Sequence, residues 1–111
     1  MGRICSIKYN SEFRRIYASG KSAATGLMVV YCRRNRRGES RLGITVSTKV
    51  GKAVVRNRVR RRLREIYRLH KAEIKSGFDV IIVARAKSPY AAYSQLERDF
   101  LRLMDKLELK V

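Results

Sequence analysis

Eight of the sixteen residues from Lys49 to Arg64 are Lys or Arg, and no acid interrupts them. Guanidinium groups at this density suit phosphate. Each presents a planar fork of N–H donors to phosphate oxygens, and its flat face stacks on bases. Asn57 adds a donor and an acceptor. At 3.6 residues per turn, Asn57, Arg60, Arg61, Arg64 and Arg68 fall on one side of a helix. Lys49 and Lys52 stand at its entry, and Arg58 and Arg62 lie on another side. Apolar residues recur within the run: Val55, Val59, Leu63, Ile66 and Tyr67 trace one helical stripe. A disordered basic tail would not keep that stripe. The run therefore reads as a rigid helix docked on a core, presenting a cationic face. Arg61 and Glu65 have the i, i+4 spacing of an ion pair, worth only about 0.2–0.5 kcal/mol. A merely solvated face is the plain alternative, but so many like charges on one helix repel one another.

A second set of residues is aromatic. Phe13 and Tyr17 are one helical turn apart, and Tyr31 lies in a strand-like run. Phe13 and Tyr17 share an amphipathic face, for which ordinary core packing is the plain reading.

Bond-breaking chemistry is poorly supplied. Phosphodiester hydrolysis generally uses metal ions held by clustered carboxylates, and the nine acids here are scattered. His70, the one histidine, has no evident orienting partner and is a weak candidate for base or ligand. No glycine-rich phosphate loop, paired-cysteine motif or nucleophile triad is present. The expectation is a binding protein with no catalytic and no metal-ligating residues of its own.

The elements that hold these groups follow from patterning. Asn10 is placed to cap a short helix carrying Phe13, Ile16 and Tyr17, with Gly20 able to end it in a left-handed conformation. Residues 1–9 read as a leading arm. Residues 27–32 are β-prone, residues 33–40 form a charged turn, and residues 41–47 alternate strictly. Leu42, Ile44 and Val46 then face one way, with Arg41, Thr45 and Ser47 on a wetter side. The two runs read as an antiparallel hairpin, with Tyr31 on the wetter face beside Thr45 and Ser47. The basic helix spans about Ala53 to His70. Residues 79–85 form a near-continuous apolar run, the mark of a central strand. After a turn at residues 87–89, residues 94–97 fit a capping box. Leu96, Phe100, Leu103, Met104 and Leu107 line a last helix facing the core. The order α-β-β-α-β-α indicates a single α+β domain over residues 1–111, a two-layer sandwich of a small mixed sheet with helices on one side.

Bulk properties agree. Net charge is +18, from 27 basic and 9 acidic side chains in 111 residues. Such an excess opposes folding by self-repulsion, which a polyanion would relieve, and points to RNA or DNA. No segment nears the roughly 20 apolar residues of a spanning helix, and no secretion signal is evident. Cys5 and Cys32 have no ligand-like spacing and read as reduced thiols, Cys32 buried, which suits the cytoplasm.

The segment from Gly51 to Glu65, with Ala53-Val54-Val55-Arg56-Asn57-Arg58 at its heart, resembles the signature of the bacterial ribonuclease P protein subunit. Residues 12–17 with residues 20–22, residues 41–47 and residues 79–85 are similar to that family's first helix and turn, central strand and later strand. The likeness covers nearly the whole chain in order. It implies a left-handed β-α-β crossover, against the usual right-handed rule, as in the second domain of a small-subunit ribosomal protein. It further implies an accessory subunit of an endoribonuclease that removes the 5′ leader from precursor tRNA, with the chemistry in the RNA subunit. The implied catalytic-RNA contacts are Lys49, Lys52, Arg56, Asn57, Arg60, Arg61, Arg64 and Arg68. The implied leader cleft comprises Phe13, Tyr17, Tyr31 and Ser47, and its rings would stack on nucleobases with little sequence preference, at about 1–3 kcal/mol per base. The implied partners are ribonuclease P RNA and precursor tRNA, with no membrane and no DNA, and no cofactor bound by the protein alone, although the holoenzyme would use Mg2+. Thr48 departs from the lysine common in the family and removes one phosphate contact; Ala86 stands where proline is frequent. The alternatives are a ribosomal or other structural-RNA-binding protein without a nuclease role, and a DNA-binding module using the basic helix in a major groove.

Overall fold

The computed structural model describes residues 4–111. In chain order the elements are β1 (Cys5–Ser6), α1 (Asn10–Ser19), β2 (Lys21–Ala24), β3 (Met28–Arg34), β4 (Arg41–Thr45), α2 (Ala53–His70), β5 (Phe78–Ala84) and α3 (Tyr93–Lys106). The strands form one mixed sheet in the order β1-β4-β5-β3-β2. β5 is parallel to β4 and antiparallel to β3, so α2 is the crossover between two neighbouring parallel strands.

This order corrects the expected hairpin. β3 and β4 run in opposite directions but do not pair, because β5 lies between them. Val80, Ile81 and Ile82 of β5 are wholly buried. A strand that is apolar on both faces gains most with a neighbour on each side. Residues 35–40 are long enough to step across the roughly 10 Å that an intervening strand occupies. Two strands were also unforeseen. The arm at residues 1–9 contributes β1, which pairs in parallel with the start of β4; Met1, Gly2 and Arg3 lie outside the described residues. The turn after α1 is β2, paired with β3. Both are short and lack an alternating pattern.

The helices occupy both faces of the sheet, not one. α2 and α3 cover one face, burying Val59, Leu63, Ile66 and Tyr67 with Leu96, Phe100, Leu103 and Met104 against Val30, Val80 and Ile82. This agrees with the helical stripes read from the sequence. α1 lies on the opposite face, over a small cluster of Ile7, Ile16 and Ile81. Strand alternation divides the sheet in this way: Leu42, Val80 and Ile82 point to α2 and α3, and Gly43 and Ile81 point to α1.

Helix ends also differ in detail. Tyr9, not Asn10, is the N-cap of α1, and its N–H donates to Glu12 Oε1 at 3.3 Å. In α3 the corresponding bond runs from the Ala92 N–H to Gln95 Oε1 at 2.8 Å, two residues earlier than the expected capping box. Gly20 ends α1 in an extended conformation, not a left-handed one. A Cβ there would lie 2.6 Å from the Cys32 carbonyl oxygen and 2.7 Å from that of Ile16. The glycine is needed because two backbones meet closely.

Candidate nucleic-acid interface

α1 is seated on β4 by matched repeats. Four residues of helix advance about 6 Å and two residues of strand about 6.6 Å. Phe13 and Tyr17 therefore keep step with Gly43 and Thr45. The Phe13 ring lies over Gly43, where a Cβ would come within 2.7 Å of Cζ. One turn on, the Tyr17 hydroxyl is 3.1 Å from Thr45 Oγ1. The Tyr17 ring meets Tyr31 edge-on, with centroids 4.8 Å apart and planes at 74°. Phe13 and Tyr17 stand 6.4 Å apart, tilted by 52°. Three rings are thus gathered on one face of the sheet, with Phe13 and Tyr31 half-buried and Tyr17 exposed.

Beside them runs an open groove of about 520 Å³, lined by Asn10, Phe13, Arg14, Tyr17 and Thr45. Asn10 and Arg14 were not anticipated as site residues. Their positions at i and i+4 of the helix that carries Phe13 and Tyr17 at i+3 and i+7 held the signal. Tyr31 shares a face with Thr45 as expected, but its neighbours in register are Ser22 and Ile81, since β5 separates it from β4. Ser47 does not line this groove. Its side chain accepts from the Lys49 N–H at 3.3 Å, capping the short 3-10 turn Thr48–Val50.

On the far side of Phe13 lies a second recess of about 190 Å³, lined by Ser6, Ile7, Phe13, Leu42, Gly43, Ile44, Arg60 and Arg64. β1 pairs with β4 only at Arg41 and Leu42. The rest of that edge is left open beside the two α2 arginines. Phe13 therefore belongs to both recesses, and the aromatic groove adjoins the arginine face.

The other residues of the basic stretch sort by their partners. Arg60 Nη1 donates to Asn57 Oδ1 at 3.0 Å, which orients both side chains. Arg56 Nη1 donates to the Gly51 carbonyl at 3.1 Å, bracing the entry to α2. Glu65 takes Arg68 rather than Arg61, through bonds of 3.0 and 2.6 Å. Arg68 is thereby partly neutralised, while Arg61 stays exposed. No ion pair among the described residues engages Lys49, Lys52, Arg61 or Arg64.

Behind the groove the acids are in use. Arg41 donates from Nε and Nη2 to the two oxygens of Asp79 at 2.9 and 2.8 Å, and from Nη1 to Glu12 Oε2 at 2.9 Å. Asn35 Nδ2 adds a 2.8 Å bond to Asp79 Oδ1. Burial alone would raise the Asp79 carboxyl, but the hydrogen bonds from Arg41 and Asn35 outweigh it and hold the group below its usual value. The hydrogen bond from Arg41 likewise lowers Glu12. His70 is not without partners: Nε2 lies 2.7 Å from Glu97 Oε2 and Nδ1 lies 3.0 Å from Glu73 Oε2. Both partners are carboxylates, so both ring nitrogens donate only as the imidazolium, and the pKa is raised, first by Glu97. His70 is thus a structural link between α2 and α3. Among the described residues no three of His, Cys, Asp and Glu are grouped so as to hold a metal ion.

The sequence and the fold have counterparts among known proteins. The family model for ribonuclease P matches residues 1–108. The ribonuclease P protein component of Thermoanaerobacter sp. is 46% identical over 107 residues, covering 96% of this chain and 92% of the relative. That of Clostridioides difficile is 40% identical over 110 residues, covering 98% and 96%. The Staphylococcus aureus RNase P protein superposes with a TM-score of 0.89 at 34% identity, covering 98% of this chain and all of that one. The Thermotoga maritima RNase P protein gives 0.83 at 33%, covering 91% and 96%. With its basic crossover helix, its aromatic groove and these full-length likenesses in sequence and structure, the chain belongs to the ribonuclease P protein family.

Proposed function

We propose that this chain serves ribonuclease P as a two-sided RNA clamp. Ribonuclease P is the endoribonuclease that produces mature tRNA 5′ ends, and this family supplies its protein component. The α2 face, with Lys49, Lys52, Arg56, Asn57, Arg60, Arg61, Arg64 and Arg68, holds the catalytic RNA through phosphate contacts. The groove on α1, with Phe13, Tyr17 and Tyr31, stacks the single-stranded 5′ leader of precursor tRNA. Ser47 serves this groove only indirectly, through the turn that leads into α2.

The observation that carries the reading is the position of Phe13, which lines both the aromatic groove and the recess holding Arg60 and Arg64. An RNA strand leaving the rings meets the arginine face at once. The described residues do not fit a protein-only Mg2+ site: no ligand cluster is present, and both Asp79 oxygens are taken by Arg41. The magnesium of the holoenzyme is assigned to the RNA, together with bond cleavage, in the cytoplasm. DNA and membranes have no place in this scheme; among the described residues no helix is long and apolar enough to cross a bilayer.

Reconstitution with the cognate ribonuclease P RNA at low magnesium tests the scheme. The protein is expected to restore leader cleavage and to favour precursor over mature tRNA. A structural-RNA-binding protein without a nuclease role would bind the two tRNA forms equally, and that result would defeat the proposal.

A further inference from the structure

We propose that Glu12 and Arg41 are positioning residues for leader recognition: their ion pair sets where α1 sits on the sheet, and so where the aromatic rings stand. The inference rests on the leader-binding reading of the groove.

Three observations carry it. First, Arg41 is immobilised before it reaches α1. Its neighbour in register on β5 is Asp79, which takes two of its donors. Arg41 and Asp79 side chains are 12% and 9% exposed, so the guanidinium is held largely away from water. The remaining guanidinium nitrogen, Nη1, donates to Glu12 Oε2 on α1 at 2.9 Å. Second, Glu12 directly precedes Phe13, and Arg41 stands two residues before Gly43 on the same face of β4. The pair is therefore the first of three successive anchors of α1 along β4, followed by Phe13 on Gly43 and Tyr17 on Thr45. Third, α1 has little else to hold it. Among the described residues, its buried apolar cluster has three members, Ile7, Ile16 and Ile81, against twenty in the cluster that holds α2 and α3. With so little apolar area to define a unique seat, a fixed and directional contact determines the register of the helix.

Neither residue contacts RNA in this scheme. Glu12 would repel phosphate, and each of the three Arg41 guanidinium nitrogens already donates to a carboxylate. Without the pair, α1 can shift or tilt, Phe13 leaves its notch and Tyr17 parts from Thr45. α2, packed on the other face, keeps its place. Loss of the pair should therefore weaken the leader contribution selectively.

The test uses the reconstituted holoenzyme and compares Glu12→Ala, Glu12→Gln and Tyr17→Ala with the unaltered protein. Affinity is measured for precursor tRNA, for mature tRNA and, separately, for the catalytic RNA. The ratio of precursor to mature affinity should fall about tenfold in Glu12→Ala, the equivalent of about 1.4 kcal/mol. It should fall less in Glu12→Gln, whose amide oxygen still accepts from Arg41, and affinity for the catalytic RNA should hold in both variants. An unchanged ratio in Glu12→Ala, alongside a reduced ratio in Tyr17→Ala, overturns the positioning role and leaves the leader groove intact. Equal losses for precursor, mature tRNA and catalytic RNA reduce the pair to a general stability element and also overturn it. If the unaltered protein shows no preference for precursor, the leader reading itself fails, the positioning role falls with it, and that arm alone reveals the cause.

Discussion

The two faces of the sheet are built on opposite plans. Against α2 and α3 the sheet is packed with aliphatic and aromatic side chains, and the largest of them are fully buried. Against α1 it carries a glycine notch, rings that remain partly open, and a polar network in place of a core. One face supplies stability; the other is underfilled, and an underfilled face retains surface for a ligand. Under the proposed function, the same division is what lets one small domain present two sites. α2 is sewn to the sheet along its apolar stripe, which fixes the backbone that carries its outward arginines. α1 is held by a few specific contacts, so a groove survives beneath its edge.

The largest effect that would sharpen this contrast is on stability. Phe100→Ala should cost about 3–5 kcal/mol in denaturant unfolding, as expected for a fully buried ring. Tyr31→Ala, on the open face, should cost under about 2 kcal/mol, since a half-buried side chain forfeits only part of a full transfer energy. It should lower leader-dependent affinity while the fold persists. If Tyr31→Ala melts the protein as Phe100→Ala does, the two faces are not distinct.

Gly43→Ala comes next. The added methyl displaces the Phe13 ring, at about 1–3 kcal/mol for an overpacked contact, and precursor affinity should drop with it. A variant that binds precursor normally would show that the notch does not place the ring.

Removing Arg60 or Arg64 should weaken assembly with the catalytic RNA. Each lost phosphate contact should also reduce the slope of log affinity against log salt by about 0.7–0.9. Arg68→Ala should change that slope less, because Glu65 already occupies Arg68. Slopes unchanged from the unaltered protein in Arg60→Ala and Arg64→Ala would remove the arginine face from the interface.

The smallest effect concerns His70. Its pKa is raised in the folded state by Glu97 and Glu73. The stability it contributes is fully present below the ordinary histidine value of 6.5. It is lost as pH rises through the raised folded value. Thermal unfolding followed across that interval should show a decline that His70→Gln flattens. An identical pH profile in the variant would remove the link between α2 and α3.

Much of the first face was legible in the chain. The spacing of Val59, Leu63, Ile66 and Tyr67 marks a docked helix, and its bounds at Ala53 and His70 agree with the structure. The apolar run of β5 marks a central strand, and that agrees too. The expected hairpin does not form because a local rule, two strands joined by a turn, competes with a global one: β5 needs two neighbours. β1 is visible only as a partner of β4, since two residues carry no period. The second face was legible only in its residue types. Phe13, Tyr17 and Tyr31 were recognisable as rings, but Asn10 and Arg14 belong to the groove through the placement of α1. Glu12, Arg41 and Asp79, far apart in the chain, look like isolated surface charges until the sheet brings them together.

Taken alone, the amino-acid order determined the cationic helix, its apolar underside, the central strand and the choice of a polyanionic partner. Each of these depends on residue type and on periods of two or 3.6, which are set within a few positions. Which strands are neighbours, which face α1 covers, and the meeting of α1, β4 and α2 at Phe13 were decided only by the tertiary structure. Those outcomes depend on how the whole chain buries its apolar surface and pairs its buried charges, a balance that no local stretch contains.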